Sequence, residues 1–137
     1  MFDAAALAAI HAEAFDAPWD EASLASLLTS PGVFAVTEAD GFILMRVVAD
    51  EAEVLTVAVR RSARRQGLAR RLLEKSMVQS LALGAQTLFL EVAKSNSPAL
   101  NLYLQAGFEQ SGLRRDYYAK SDGTREDALV LSYKFPQ

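Results

Sequence analysis

The chain has 137 residues, no cysteine, one histidine and a formal net charge of −3, with 51% hydrophobic and 23% charged residues. That is the size and composition of a single soluble domain, residues 1–137, with a substantial core. It excludes disulfides, thiolate metal sites and cysteine nucleophiles, and a lone His11 excludes multi-histidine metal sites and leaves little basis for a Ser–His triad.

The sequence opens Met1-Phe2-Asp3 with no basic region, so no signal peptide is expected. No apolar run reaches the length of a membrane span, and the expected location is the cytoplasm. Residues 4–15 place Leu7, Ile10, Ala14 and Phe15 at helical spacing, and Asp16-Ala17-Pro18-Trp19 breaks that helix. A second helix starts near Asp20 as N-cap, runs through Leu24, Leu27 and Leu28, and stops before Pro31. Residues 33–37 and 42–48 read as strands around an Asp40-Gly41 hairpin turn. Asp50-Glu51 then turns into a strand over 53–59. A helix over about 67–83 ends at Gly84. Residues 87–92 are apolar on both faces and so predict a central strand. Ser97 as N-cap and Pro98 in the first turn open a short helix that Gly107 closes. Strands over about 108–118 and 127–134 follow, joined by a turn at Ser121-Asp122-Gly123. This order predicts a mixed α/β sheet with helices on its faces.

The most informative stretch is residues 64–71, Arg64-Arg65-Gln66-Gly67-Leu68-Ala69-Arg70-Arg71, where a strand gives way to a helix through a small-residue turn. A helix N-terminus offers free backbone N–H groups and the positive end of its dipole to an anion. Six of the 14 basic residues (Arg60, Arg61, Arg64, Arg65, Arg70 and Arg71) fall within residues 60–71, leaving 8 basic against 17 acidic residues elsewhere. The turn is neither a P-loop nor a dinucleotide fingerprint, because the lysine–hydroxyl pair and the triple glycine are absent. A solvated basic helix start, a local RNA or membrane contact and a phosphate site all remain open from these residues alone. Glu91 interrupts an apolar strand; it either faces solvent or an arginine at a sheet margin, or serves as a general base in a cleft. Tyr103 is either core packing or a general acid.

Taken together, these segments resemble the GCN5-related N-acetyltransferase (GNAT) superfamily. Residues 64–70 resemble its acyl-CoA pyrophosphate motif. Leu90-Glu91-Val92, Ser95-Asn96-Ser97-Pro98-Ala99 and Leu102-Tyr103-Leu104-Gln105-Ala106-Gly107-Phe108 resemble its next block. Ala14-Phe15 with Pro18-Trp19, Arg114-Arg115-Asp116-Tyr117-Tyr118 and residues 122–128 are similar to the RimI-type ribosomal-protein-alanine N-acetyltransferases. The resemblance implies the GNAT fold, a central mixed, mostly antiparallel sheet splayed at the cofactor site and flanked by about four helices. It implies acetyl-CoA as co-substrate, no metal, and direct transfer of the acetyl group to an amine. The amine it favours is the N-terminal α-amine of a protein, such as a ribosomal-protein alanine; a lysine, a small-molecule amine or a non-catalytic acyl-CoA-binding module are the alternatives. Neither nucleic acid nor membrane is expected to be bound directly, and a monomer or weak dimer is expected.

By position, the resemblance assigns Val57, Ala58 and Val59 to pantetheine and the thioester carbonyl, and Arg64, Arg65, Gln66, Gly67, Leu68, Ala69 and Arg70 to the pyrophosphate. It assigns Asn96 to the pantetheine arm, Glu91 to the base, Tyr103 to the acid, and Trp19, Tyr117 and Tyr118 to the peptide groove. Two departures stand out: similar sequences carry a strand before the first helix, missing or vestigial here, and a glycine is common where Met45 stands.

Overall fold

The computed structural model describes residues 3–15, 17–120 and 122–136, so the helix-breaking role expected of Asp16 and the turn role of Ser121 lie outside the described residues. Helix α1 is Ala4–Ala14, capped by the Asp3 carboxylate, which accepts from the Ala6 N–H at 2.9 Å. Helix α2 is Glu21–Leu28, with Asp20 capping it through the Ser23 N–H at 2.8 Å. Three strands follow: β1 (Val33–Glu38), β2 (Gly41–Val48) and β3 (Glu51–Val59). A 3-10 turn at Arg61–Ala63, not foreseen in the sequence, leads to helix α3 (Leu68–Ala82). Then come β4 (Thr87–Ala93), helix α4 (Ser97–Gln105), β5 (Glu109–Ala119) and β6 (Arg125–Lys134). Among the described residues no strand precedes α1, and β1 forms one edge of the sheet. No helix of the described residues is long and apolar enough to cross a membrane.

The strands form one six-stranded sheet in the order β1-β2-β3-β4-β6-β5, with β4 central as its apolar pattern predicts. Every pairing is antiparallel except β3 with β4, where α3 makes the long crossover that a parallel pair requires. One core fills the face under α3 and α4 and includes Ile43, Met45, Leu68, Leu72, Leu73, Leu88, Leu90, Val92 and Leu131. A second core, Leu7, Ile10, Leu24, Phe42, Leu44 and Ala58, lies between α1–α2 and the opposite face of β2 and β3. With both its faces covered, β2 is buried from Gly41 to Met45. Strand β4 instead alternates: Leu88, Leu90 and Val92 are buried under the helices, while Thr87, Phe89, Glu91 and Ala93 are half-buried on the other face.

Two details differ from the sequence reading, and each has a physical reason. The sequence places Gly41 in the hairpin turn, but the turn is Ala39-Asp40 and Gly41 is the first residue of β2. Its role is space: a Cβ there would stand 2.9 Å from the Ala58 carbonyl oxygen and 3.1 and 3.3 Å from methyl carbons of Leu68 and Leu72. The sequence predicts Ser97 as the cap of α4, but Asn96 takes that role, its Oδ1 accepting from the Ala99 N–H at 3.3 Å. Met45 is fully buried beside the place where the β2–β3 register slips by one residue at Leu55, and fills the core there.

Since the nearest atom to that missing Cβ is backbone, Gly41→Ala forces β2, β3 and the start of α3 apart. It is expected to cost about 1–3 kcal/mol, the range for an overpacked core, measured as a lower urea midpoint with an unchanged slope. An unaltered midpoint would show that the contact relaxes freely.

Candidate active site

The basic turn comes first in chain order. Arg65 and Gly67 are both left-handed, at φ 64° and 76°, and successive amides in such a turn line a concavity suited to an anion. Among the described residues, the backbone N–H groups of residues 65–70 meet no backbone acceptor; the first such bond of α3 runs from the Arg71 N–H to the Gly67 carbonyl, at 3.1 Å. A Cβ on Gly67 would meet nothing closer than Arg71 Nη1 at 3.9 Å, so the surface over the turn is open.

The arginines are less available than their number suggests. Arg60 pairs with Glu13 and lies 3.8 Å from Asp40 Oδ1, Arg70 pairs with Glu74 at 3.0 Å, and Arg71 pairs with Glu38 at 3.3 Å. Arg61 donates to the Glu13 carbonyl at 3.2 Å. Among the described residues Arg64 and Arg65, both exposed, form no ion pair. The positive island is therefore two free guanidiniums beside a row of free amides.

Immediately before this turn the sheet opens. Strands β3 and β4 are in register only from Glu51–Glu53 with Thr87–Phe89. Beyond that, Val57, Ala58 and Val59 pair with β2 on one side and with no strand on the other. An unpaired strand edge offers backbone N–H and C=O groups to whatever lies along it. Asn96, exposed just past β4, spends its side-chain oxygen on capping α4 and keeps its amide N–H groups.

Glu91 points away from the α3–α4 core, into the half of the sheet that neither α1 nor α2 covers. Arg114 on β5 reaches over β6 to it, with Nε 2.9 Å from Oε1. The Arg114 guanidinium also lies 5.1 Å from the centre of the Tyr117 ring, within cation–π range. Tyr117 and Tyr118 meet edge to face at 5.1 Å. A bulge in β5 between Arg114 and Tyr118 turns them, with Asp116 left-handed at φ 51°. The Asp116 N–H donates to Asp127 Oδ1 at 3.0 Å, and Arg125 Nε donates to the Asp116 carbonyl at 2.7 Å, which fixes the bulge.

These neighbours keep the phenols protonated. A hydrogen bond to Glu91, then its charge, raises the pKa of Tyr117. Burial first, then the Glu91 carboxylate, pushes Tyr118 up to about 12. Tyr103, buried on α4 and packed edge-on to Phe108 at 5.6 Å, is pushed up to about 12 by burial and then by the charge of Tyr118. Tyr118 thus stands within electrostatic reach of both Glu91 and Tyr103. Trp19 sits apart, on the β3 flank, stacked on His11 at 5.1 Å. Nothing local in the sequence marks Arg114, because only the register through β6 brings it to Glu91.

A family model described as the acetyltransferase (GNAT) family matches residues 4–108. The chain is 39% identical over 136 residues to the ribosomal protein bS18-alanine N-acetyltransferase of Escherichia coli strain K12, covering 91% of this chain and 88% of that protein. The crystal structure of the ribosomal-protein-S18-alanine N-acetyltransferase from Escherichia coli matches with a TM-score of 0.89 at 34% identity, over 98% of this chain and 88% of that one. Arabidopsis thaliana NAA60 in complex with acetyl-CoA shares the fold at 17% identity, with a TM-score of 0.84 over 97% and 93% of the two chains.

Because Gly67 is left-handed, Gly67→Ala carries a penalty of about 1–2 kcal/mol for holding the turn, and the binding-competent turn becomes correspondingly rarer. The dissociation constant for CoA, measured by calorimetry, is expected to rise about 5–30-fold. An unchanged constant would take this turn out of the binding site.

Proposed function

The chain belongs to the acetyltransferase (GNAT) family and is an acetyl-CoA-dependent N-acetyltransferase, and we propose that its acceptor is the N-terminal α-amine of a protein. A ribosomal protein with an N-terminal alanine is the substrate that its relatives' names suggest. The observation that carries this reading is the placement of Glu91: a half-buried carboxylate where β3 and β4 part, facing the uncovered half of the sheet and ringed by Arg114, Tyr117 and Tyr118.

The chain's own residues divide the work. The free amides of residues 65–70, with Arg64 and Arg65, fit a pyrophosphate, and the open surface over Gly67 gives it room. The unpaired edge at Val57–Val59 fits an extended amide-bearing arm laid alongside it, and a backbone N–H there would polarise the carbonyl under attack. Asn96 keeps an amide N–H for the same arm. Acetyl-CoA supplies an acyl group already activated as a thioester.

An amine attacks only when neutral. An α-amine has a pKa near ~8 and a lysine near ~10.4, so freeing the lone pair costs about 3 kcal/mol less for the N-terminus. Arg114 holds Glu91 Oε1 and fixes the carboxylate's direction, leaving its other lone pairs to take the ammonium proton, directly or through one water. Tyr103 supplies an O–H that stays protonated throughout the working range. A pKa of about 12 makes it a better hydrogen-bond donor to a departing thiolate than a complete proton donor, since a thiol near ~8.5 is the stronger acid. With no cysteine in the chain, transfer goes directly to the amine.

Turnover should be measured with N-terminal peptides, free lysine and polyamines; N-terminal peptides are expected to be acetylated fastest, and acceptance of lysine or polyamines alone would overturn the proposed acceptor. Glu91→Gln is expected to lower kcat/KM about 10²–10⁴-fold. The loss should be greatest at low pH and shrink as the pH approaches the amine pKa. Tyr103→Phe should lower kcat about 10²-fold with the CoA dissociation constant nearly unchanged. A pH–rate profile that Glu91→Gln leaves unaltered would remove Glu91 from the base role, and a large loss of CoA affinity in Tyr103→Phe would make that ring structural.

A further inference from the structure

The only histidine is placed as a fastening between two parts of this site. His11, on the last turn of α1, is 2% exposed. Its Nδ1 accepts the Trp19 backbone N–H at 3.0 Å, and its Nε2 lies 3.1 Å from Thr56 Oγ1 on β3. Because Nδ1 accepts, the neutral ring carries its proton on Nε2 and donates to Thr56. Burial lowers the imidazole's pKa to about 4, so this form holds at neutral pH. The ring is stacked between Phe15, at 4.2 Å and 17°, and Trp19, at 5.1 Å and 18°.

The partners of that ring matter more than its burial. Thr56 immediately precedes Val57–Val59, and Arg60, immediately after them, pairs with Glu13 on the same turn of α1. The end of α1 therefore grips the unpaired segment of β3 at both ends. Thr56 and Ala58 point to the α1–α2 face, which is also the face that Glu91 presents from β4. Phe15, 42% exposed, and half-buried Trp19 are thus held through His11 to β3, on the sheet face that Glu91 also faces from β4.

We propose that His11 is a positioning residue that ties the acceptor-side wall, Phe15 and Trp19, to the strand segment along which acetyl-CoA lies. This rests on the functional reading above. A phenylalanine would fill the same volume and keep the stack. What it would lose is a buried donor and acceptor that join the α1–α2 connection to β3, and buried polar groups are retained only where both are satisfied. The imidazole sets where the aromatic wall stands relative to Val57–Val59; it touches neither substrate's reacting atoms.

Two variants separate positioning from packing. His11→Phe keeps the ring and removes both hydrogen bonds; Thr56→Val keeps the shape and removes only the hydroxyl. With the wild type first shown to acetylate an N-terminal peptide, each variant is expected to raise the peptide KM about three- to tenfold, what one such hydrogen bond is worth. kcat should change less than about threefold and the CoA dissociation constant less than about twofold, and the double variant should be little worse than His11→Phe, since both cut one link. Peptide KM unchanged in both variants overturns the proposal. Parallel losses of CoA affinity, kcat and thermal stability in both also overturn it and make His11 a core residue only. A wild type that acetylates no peptide strikes the proposed acceptor, not this link.

Discussion

The rest of the structure depends on the short parallel pairing of β3 with β4. Register holds for three residue pairs and then stops, although both strands continue, to Val59 and Ala93. Two strands that part inside a sheet leave backbone groups without partners, which is costly unless water or a ligand takes them. The opening is held by cores on opposite faces. α3 and α4 cover one whole side of the parting, whereas α1 and α2 cover the other side over β1, β2 and β3 but not over β4. Glu91 can be both half-buried and accessible because it stands where that second cover ends.

Charge follows the same division. The acids at positions 13, 38 and 74 take up Arg60, Arg71 and Arg70, which leaves the turn before α3 with its free amides, Arg64 and Arg65. Exposed pairs of this kind contribute about 0–1 kcal/mol each, so their main effect is to focus the remaining positive charge on one spot. At the opening, one carboxylate, one guanidinium and three phenols are grouped so that the phenols stay protonated and the carboxylate is aimed. On the proposed reading, the anion half and the proton-transfer half of the site are joined by Val57–Val59, the segment that α1 fastens at Thr56 and Arg60.

Local signals carried most of the fold. Asp20 caps its helix, Gly84 and Gly107 follow theirs, and the apolar run at 87–92 is a central strand. What sequence periodicity could not carry was register. Arg114 meets Glu91 only because β6 lies between their strands, and the bulge that turns Tyr117 and Tyr118 depends on Asp127 and Arg125, eleven and nine residues on from Asp116. Gly41 sits beside a turn-forming Asp40, so its sequence context points to the hairpin, while its constraint comes from Ala58, Leu68 and Leu72 in three dimensions. Asn96 and Ser97 are both good caps, and only the backbone shows that Asn96 is used. His11 reads as an isolated residue until Thr56, 45 positions away, is brought against it.

On the proposed reading, the parting of β3 from β4 and the turn before α3 together form one acyl-CoA site. Titrating the isotopically labelled protein with acetyl-CoA and following the backbone amide resonances tests it most directly. The largest shifts are expected at Val57–Val59 and Arg65–Arg70, saturating together with a single dissociation constant. Shifts concentrated elsewhere, with those two segments unmoved or titrating independently, would contradict it.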